Sequence, residues 1–157
     1  MASSPYVFDY HERFALDAPV EQVWAAIERL DLFPTWWTWL RDFHHEGGGL
    51  VDGAWLHGVV VPPVPYRLRL QVQLTRCTPP GAIDAAVEGD LRGAAHLTLA
   101  ADGAGSTATL QWSVEMMQRP MRLACLVARP LLVWGHNRVV EMALVSFRQR
   151  LADGAVT

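Results

Sequence analysis

Apolar and polar residues alternate from the start of the chain. Tyr6, Phe8, Tyr10, Phe14 and Leu16 share one parity, and Glu12 is the only charged residue on that side. A period of two marks a half-buried strand. The period changes after Ala18-Pro19, where Val20, Val23, Trp24, Ile27 and Leu30 follow helical spacing and predict a helix with one buried face. Pro19 suits the first turn of that helix, with Asp17 or Ala18 as cap and Glu21 favourable to the dipole. Pro34 restarts the chain into a second short helix, expected to carry Trp36, Trp37 and Trp39. The turn signals Gly47-Gly48-Gly49 and Asp52-Gly53 then open a meander. Ala54 to Val61 forms a strand ending at Pro62-Pro63-Val64-Pro65. From Tyr66 to Arg76 the alternation is clean, with Tyr66, Leu68, Leu70, Val72 and Leu74 inward. Ala82 to Glu88, Leu91 to Ala101 and Thr107 to Met117 complete the strands, the last with Ala108, Leu110, Trp112, Val114 and Met116 inward.

Beyond Pro120 the period is helical again, with a bend expected at Pro130. Val133, Asn137, Val140, Leu144, Phe147 and Leu151 form the predicted inner stripe, and Arg138, Glu141, Arg148 and Gln149 lie opposite. The order is one strand, two short helices, about six antiparallel strands and a long helix. This is an α+β chain of one domain, residues 1–157, with its core over about 6–151.

Composition adds a surplus to explain. Of 157 residues 51% are hydrophobic and 18% charged, against a usual charged share of ~25%. A lined cavity uses such a surplus, and so does an oligomer interface. The net charge of −3 gives no reason to expect nucleic acid as a partner. All 13 basic residues are arginine, as coding in a GC-rich bacterial genome would produce. The N-terminal MASSPYVFDY lacks the basic and apolar regions of a signal peptide, and the apolar run Leu123 to Trp134 is too short to span a bilayer. A cytoplasmic protein is expected, monomeric or homodimeric. Cys77 and Cys125 stand far apart and are expected to be reduced.

Five pieces occur in an order that resembles a known family. They are Ala18-Pro19 with Val23-Trp24, then Pro34 with Trp36-Trp37, then Val64-Pro65-Tyr66-Arg67-Leu68. Gly89-Asp90-Leu91-Arg92-Gly93 follows, and Arg129-Pro130 through Trp134-Gly135-His136 to Val140 closes the set. Together they resemble the START-like helix-grip superfamily, in its polyketide cyclase/dehydrase (SRPBCC) branch. The resemblance implies a curved antiparallel sheet of six to seven strands wrapped around the C-terminal helix, with a hydrophobic cavity between them. It implies an apolar or amphipathic small molecule as partner, such as a lipid or polyketide, and no cofactor. The chain departs from the branch at Gly135-His136-Asn137, where an Asn-His pair is expected.

Candidate site residues follow from inward-facing chemistry. Tyr10, Trp36, Trp39, Trp55, Tyr66, Trp112, His136, Asn137 and Val140 are the expected ligand-binding positions, against the simpler alternative of core packing. If the cavity catalyses a cyclase, dehydratase or aldol-type reaction, Glu12, Tyr66 and His136 are the candidate acid–base groups. Glu12 is expected to be desolvated between Tyr10 and Phe14. His44-His45-Glu46 has the residue types of a metal site, but adjacent strand residues diverge and no third ligand stands at a suitable spacing, so no metal is expected. The basic side of the last helix is read as a solvated face before a membrane contact. A non-catalytic protein-interaction module, using the tryptophan stretch as its interface, is the remaining alternative.

Overall fold

The computed structural model describes residues 4–153. Seven strands form one antiparallel sheet: β1 (Val7–Leu16), β2 (Leu40–Glu46), β3 (Trp55–Val60), β4 (Leu68–Thr78), β5 (Ala82–Gly89), β6 (Leu91–Asp102) and β7 (Gly105–Met116). Their spatial order is β1-β7-β6-β5-β4-β3-β2, so β1 closes back beside the last strand and β2 is the far edge. Two short helices, α1 (Val20–Glu28) and α2 (Phe33–Trp36), connect β1 to β2. Two more, α3 (Arg119–Val127) and α4 (Arg129–Ala152), follow β7. The sheet is curved, and α4 lies along its inner face. This is the expected α+β helix-grip architecture.

Alternation decides which residues face α4. Leu68 and Leu74 of β4, Ile83, Ala85 and Val87 of β5, Leu99 of β6, and Ala108, Val114 and Met116 of β7 are all buried. All but Val87 and Val114 fall into two clusters. One joins the sheet to α1, α2 and the end of α4 through Trp24, Phe33, Trp36, Leu144, Phe147 and Leu151. The other joins Leu68 and Met116 to Met121, Cys125 and Leu132 at the α3–α4 end, with Tyr6, Phe8 and Tyr66 packed against it.

The C-terminal segment departs from a single bent helix. It breaks into α3 and α4, with Pro130 in the first turn of α4. Proline has no N–H to give and clashes with the preceding turn, so it starts a helix more readily than it continues one. Similarly, α1 is capped at Pro19 itself, with no side-chain cap from Asp17. The arginines of α4 are also more engaged than a solvated face implies. Arg129 donates to the carbonyls of Pro5 and Val7, and Arg148 donates to that of Ala15 at 2.8 Å. Both ends of α4 are thereby tied to the edge strand β1, whose outer carbonyls lack a neighbouring strand. Among the described residues no helix is long and apolar enough to cross a membrane.

Candidate functional site

Between the two hydrophobic clusters lies a group of polar aromatic side chains. The register of β1 against β7 sets Tyr10 opposite Trp112, and their rings stack with centroids 4.4 Å apart at 16°. His136 of α4 meets both edge-on, at 5.3 Å from Tyr10 and 5.2 Å from Trp112. Such pairs contribute about 0.5–1.5 kcal/mol each beyond the area they bury. Trp112 Nε1 donates to His136 Nε2 at 3.1 Å. An imidazole nitrogen that accepts a bond carries no proton, so the ring proton sits on Nδ1, which donates to Asn137 Oδ1 at 3.1 Å. His136 is therefore a neutral imidazole of defined tautomer. Burial lowers its pKa, and the bond to Asn137 opposes that shift.

Gly135 explains the departure from the expected Asn-His pair. A Cβ at this position would lie 3.1 Å from the Tyr66 hydroxyl oxygen and 3.2 Å from Val64 Cγ2. A side chain here would press on the Val64 and Tyr66 side chains, so the glycine lets Tyr66 abut the helix one residue before His136. Tyr66 itself lies just ahead of β4, not in it. Burial, then the nearby Cys125, raises its pKa, while burial, then Glu12, raises that of Tyr10. Both phenols are thus kept as proton donors.

Two turns of α4, or about 10 Å, separate His136 from a second polar station. Trp37 Nε1 donates to the Ala143 carbonyl at 3.1 Å, and Trp39 stacks on Trp37 with centroids 5.7 Å apart. Trp39 Nε1 is buried and has no partner among the described residues. The expected helix through all three tryptophans ends at Trp36, and Trp37 is extended. A turn follows at Thr38 and Trp39, closed by the Leu40 N–H donating to the Trp37 carbonyl at 3.0 Å, and it folds Trp39 back against Trp37. Trp36, by contrast, is a core residue at 5% exposure.

Other expected positions fall elsewhere. Glu12 has inward parity but is exposed, so the expectation that it is desolvated fails. Asn137 is exposed as well, because the first half of α4 buries Leu132 and Gly135 instead, while Leu144, Phe147 and Leu151 meet the core as the spacing predicts. It touches the site through His136 alone. Val140, one turn beyond His136, is half-buried on the same face. Trp55 stacks on His57 at 6.1 Å and shares its outward parity, so it lies on the outer face of the sheet. Trp134 is 51% exposed and adjoins the exposed Leu131. A depression of about 440 Å³ is lined by Asp9, His11, Ala94, His96, Gln111 and Ser113 of the outer parity together with Tyr10 and Trp112.

A profile of the family described as "Polyketide cyclase / dehydrase and lipid transport" matches residues 8–152. The chain belongs to this family. No curated protein sequence matches it. Among solved structures, a protein from Thermus thermophilus is similar with a TM-score of 0.74 at 15% identity, over 94% of this chain and 99% of that one. The di-domain ARO/CYC BexL from the BE-7585A biosynthetic pathway is similar with a TM-score of 0.72 at 13% identity, over 93% of this chain and 50% of BexL. Norcoclaurine synthase from Thalictrum flavum, in complex with dopamine and hydroxybenzaldehyde, gives 0.65 at 12% identity, over 94% and 87%. At these identities the likeness is one of fold.

Proposed function

We propose that the inner face binds an apolar or amphipathic small molecule between the sheet and α4, without chemistry. The Tyr10–Trp112–His136 group carries this reading, because it places polar aromatic edges between two apolar clusters. Apolar walls with few placed polar groups are what a small-molecule site needs. Trp39 Nε1, a buried donor without a partner among the described residues, supplies a second polar station for a ligand oxygen. Membership of a cyclase and lipid-transport family supports the same ligand class.

His136 is poorly disposed as a general base, since its one free lone pair already accepts from Trp112. The second reading is a cyclase or dehydratase in which the Tyr10 or Tyr66 hydroxyl, kept protonated by burial, donates a hydrogen bond to a substrate carbonyl oxygen while the inner face folds the substrate. Ala95 pairs with Trp112 across the sheet on the inner face. Ala95→Phe is therefore expected to fill the site and weaken binding of anilinonaphthalenesulfonate tenfold or more in a fluorescence titration. Unchanged binding by that variant contradicts a ligand on this face.

A further inference from the structure

The outer face of the β2–β3 hairpin carries a cluster that the inner site does not use. His44 and His57 are register partners, with parallel rings 4.5 Å apart. Glu46 lies two residues along the same face of β2, and its Oε1 stands 3.8 Å from His57 Nε2. One ligand atom from each of these three side chains lies within 4.8 Å of the others.

His57 Nε2 is buried and has no hydrogen-bond partner among the described residues. Buried ring nitrogens ordinarily have one, so this atom points into the cluster with an unmet need. The His44 ring is held in a defined orientation: its Nδ1 lies 3.2 Å from the Asp42 carbonyl, which takes the ring proton and leaves Nε2 as a free lone pair. Histidine ligands of metals are held this way by outer hydrogen bonds. The backbone makes the pairing. Asp42 adopts φ 50° within a bulge between Arg41 and His44, and the extra residue shifts the register so that His44 falls opposite His57. A regular ladder would set Phe43 there.

We propose that His44, His57 and Glu46 bind one divalent transition-metal ion, zinc foremost. Two imidazoles and a carboxylate suit zinc, cobalt, nickel or copper better than magnesium or calcium. Two ligand atoms at 2.0–2.1 Å from a tetrahedral ion stand roughly 3.3 Å apart, so small side-chain rotations close the 3.8 Å separation. Three protein ligands leave a fourth position for water or an external ligand, the pattern of an open site. His45, on the opposite parity, is not a ligand. The site lies on the far side of the sheet from the inner aromatic group and is independent of any ligand bound there.

The test is isothermal titration of the tag-free full-length chain with zinc, and separately the visible spectrum of its cobalt complex. One equivalent of zinc is expected to bind at micromolar affinity or tighter, with the intense visible bands of tetrahedral cobalt. His44→Ala and Glu46→Gln, both at exposed positions, are each expected to weaken binding tenfold or more. His96→Ala, which breaks the separate His96–Asp84 pair on the same face, leaves it unchanged. The site is overturned if the wild-type chain binds no zinc, or if the double variant His44→Ala, Glu46→Gln, shown folded by circular dichroism, binds as tightly as wild type.

Discussion

His136 and His57 occupy opposite faces of one sheet, and both are partly withdrawn from solvent. On the inner face, both ring nitrogens of His136 are engaged, one by Trp112 and one by Asn137. On the outer face, His57 Nε2 is buried beside His44 and Glu46 with no hydrogen-bond partner among the described residues. A satisfied imidazole belongs to the fold and holds its neighbours in place. An unsatisfied one costs stability until something binds it, because a buried polar atom has given up water and gained nothing in return. The same residue type therefore holds an aromatic group together on one face and keeps an unmet hydrogen-bonding need on the other.

That contrast can be broken by substitution. The largest effect is expected from Trp112→Ala, which removes the Tyr10 stack and leaves His136 without its donor. A loss of about 3 kcal/mol is expected for emptying this partly buried site, measured as the shift in chemical unfolding midpoint. His136→Leu should cost about 1–3 kcal/mol, since the Trp112 N–H is then left without its acceptor. A much smaller loss would mean that the inner hydrogen bond is not structural. Gly135→Ala should stay within about 1 kcal/mol of wild type, because contact with Tyr66 and Val64 offsets what alanine gains over glycine inside a helix. Tyr66→Phe should make the same alanine substitution more favourable, since it removes the oxygen in conflict. In metal-free buffer, His57→Leu is expected to fall within about 0.5 kcal/mol of wild type or to stabilise, because it removes the orphaned atom together with its ring. If His57→Leu destabilised the chain as much as His136→Leu, the two faces would not differ as described.

The pH dependence sharpens the same comparison. Unfolded, His136 takes up a proton near the ordinary value of about 6.5. Folded, it resists that proton to lower pH, chiefly because of burial. The unfolded chain thus binds more protons in this interval, and stability falls as the pH drops below about 6.5 and through the lowered folded pKa. His136→Gln keeps an acceptor for Trp112 but does not titrate. Its stability should decline less than that of wild type between neutral and mildly acidic pH.

Much of the inner face was legible in the sequence, because strand period and helix period each assign a side to every residue. The strand period places Tyr10 and Trp112 inward, the helical period puts His136 on the flank of the predicted stripe, and the fold brings the three together. Periodicity fails where the period itself changes. The helix expected through Trp39 stops at Trp36, so Trp37 was passed over as a site residue although it holds α4 at Ala143. The first half of the α4 stripe, through Leu132 and Gly135, is out of phase with the predicted one and leaves Asn137 on the outside, whereas Leu144, Phe147 and Leu151 follow it. Glu12 keeps its inward parity, yet parity does not measure how far a face is covered. The pairing of His44 with His57 was beyond reach for a different reason. It depends on one extra residue at Asp42, and local sequence carries no signal for where a strand will bulge.

Ligand binding on the inner face is tested most directly through the tryptophan indole N–H resonances. With the resonances assigned by single substitutions, anilinonaphthalenesulfonate would be titrated into the ¹⁵N-labelled chain. The Trp112 and Trp39 signals are expected to shift together and to saturate, while those of Trp55 and Trp134 stay in place. Shifts confined to Trp55 and Trp134, or no saturable shift at Trp112, would contradict a binding site between the sheet and α4.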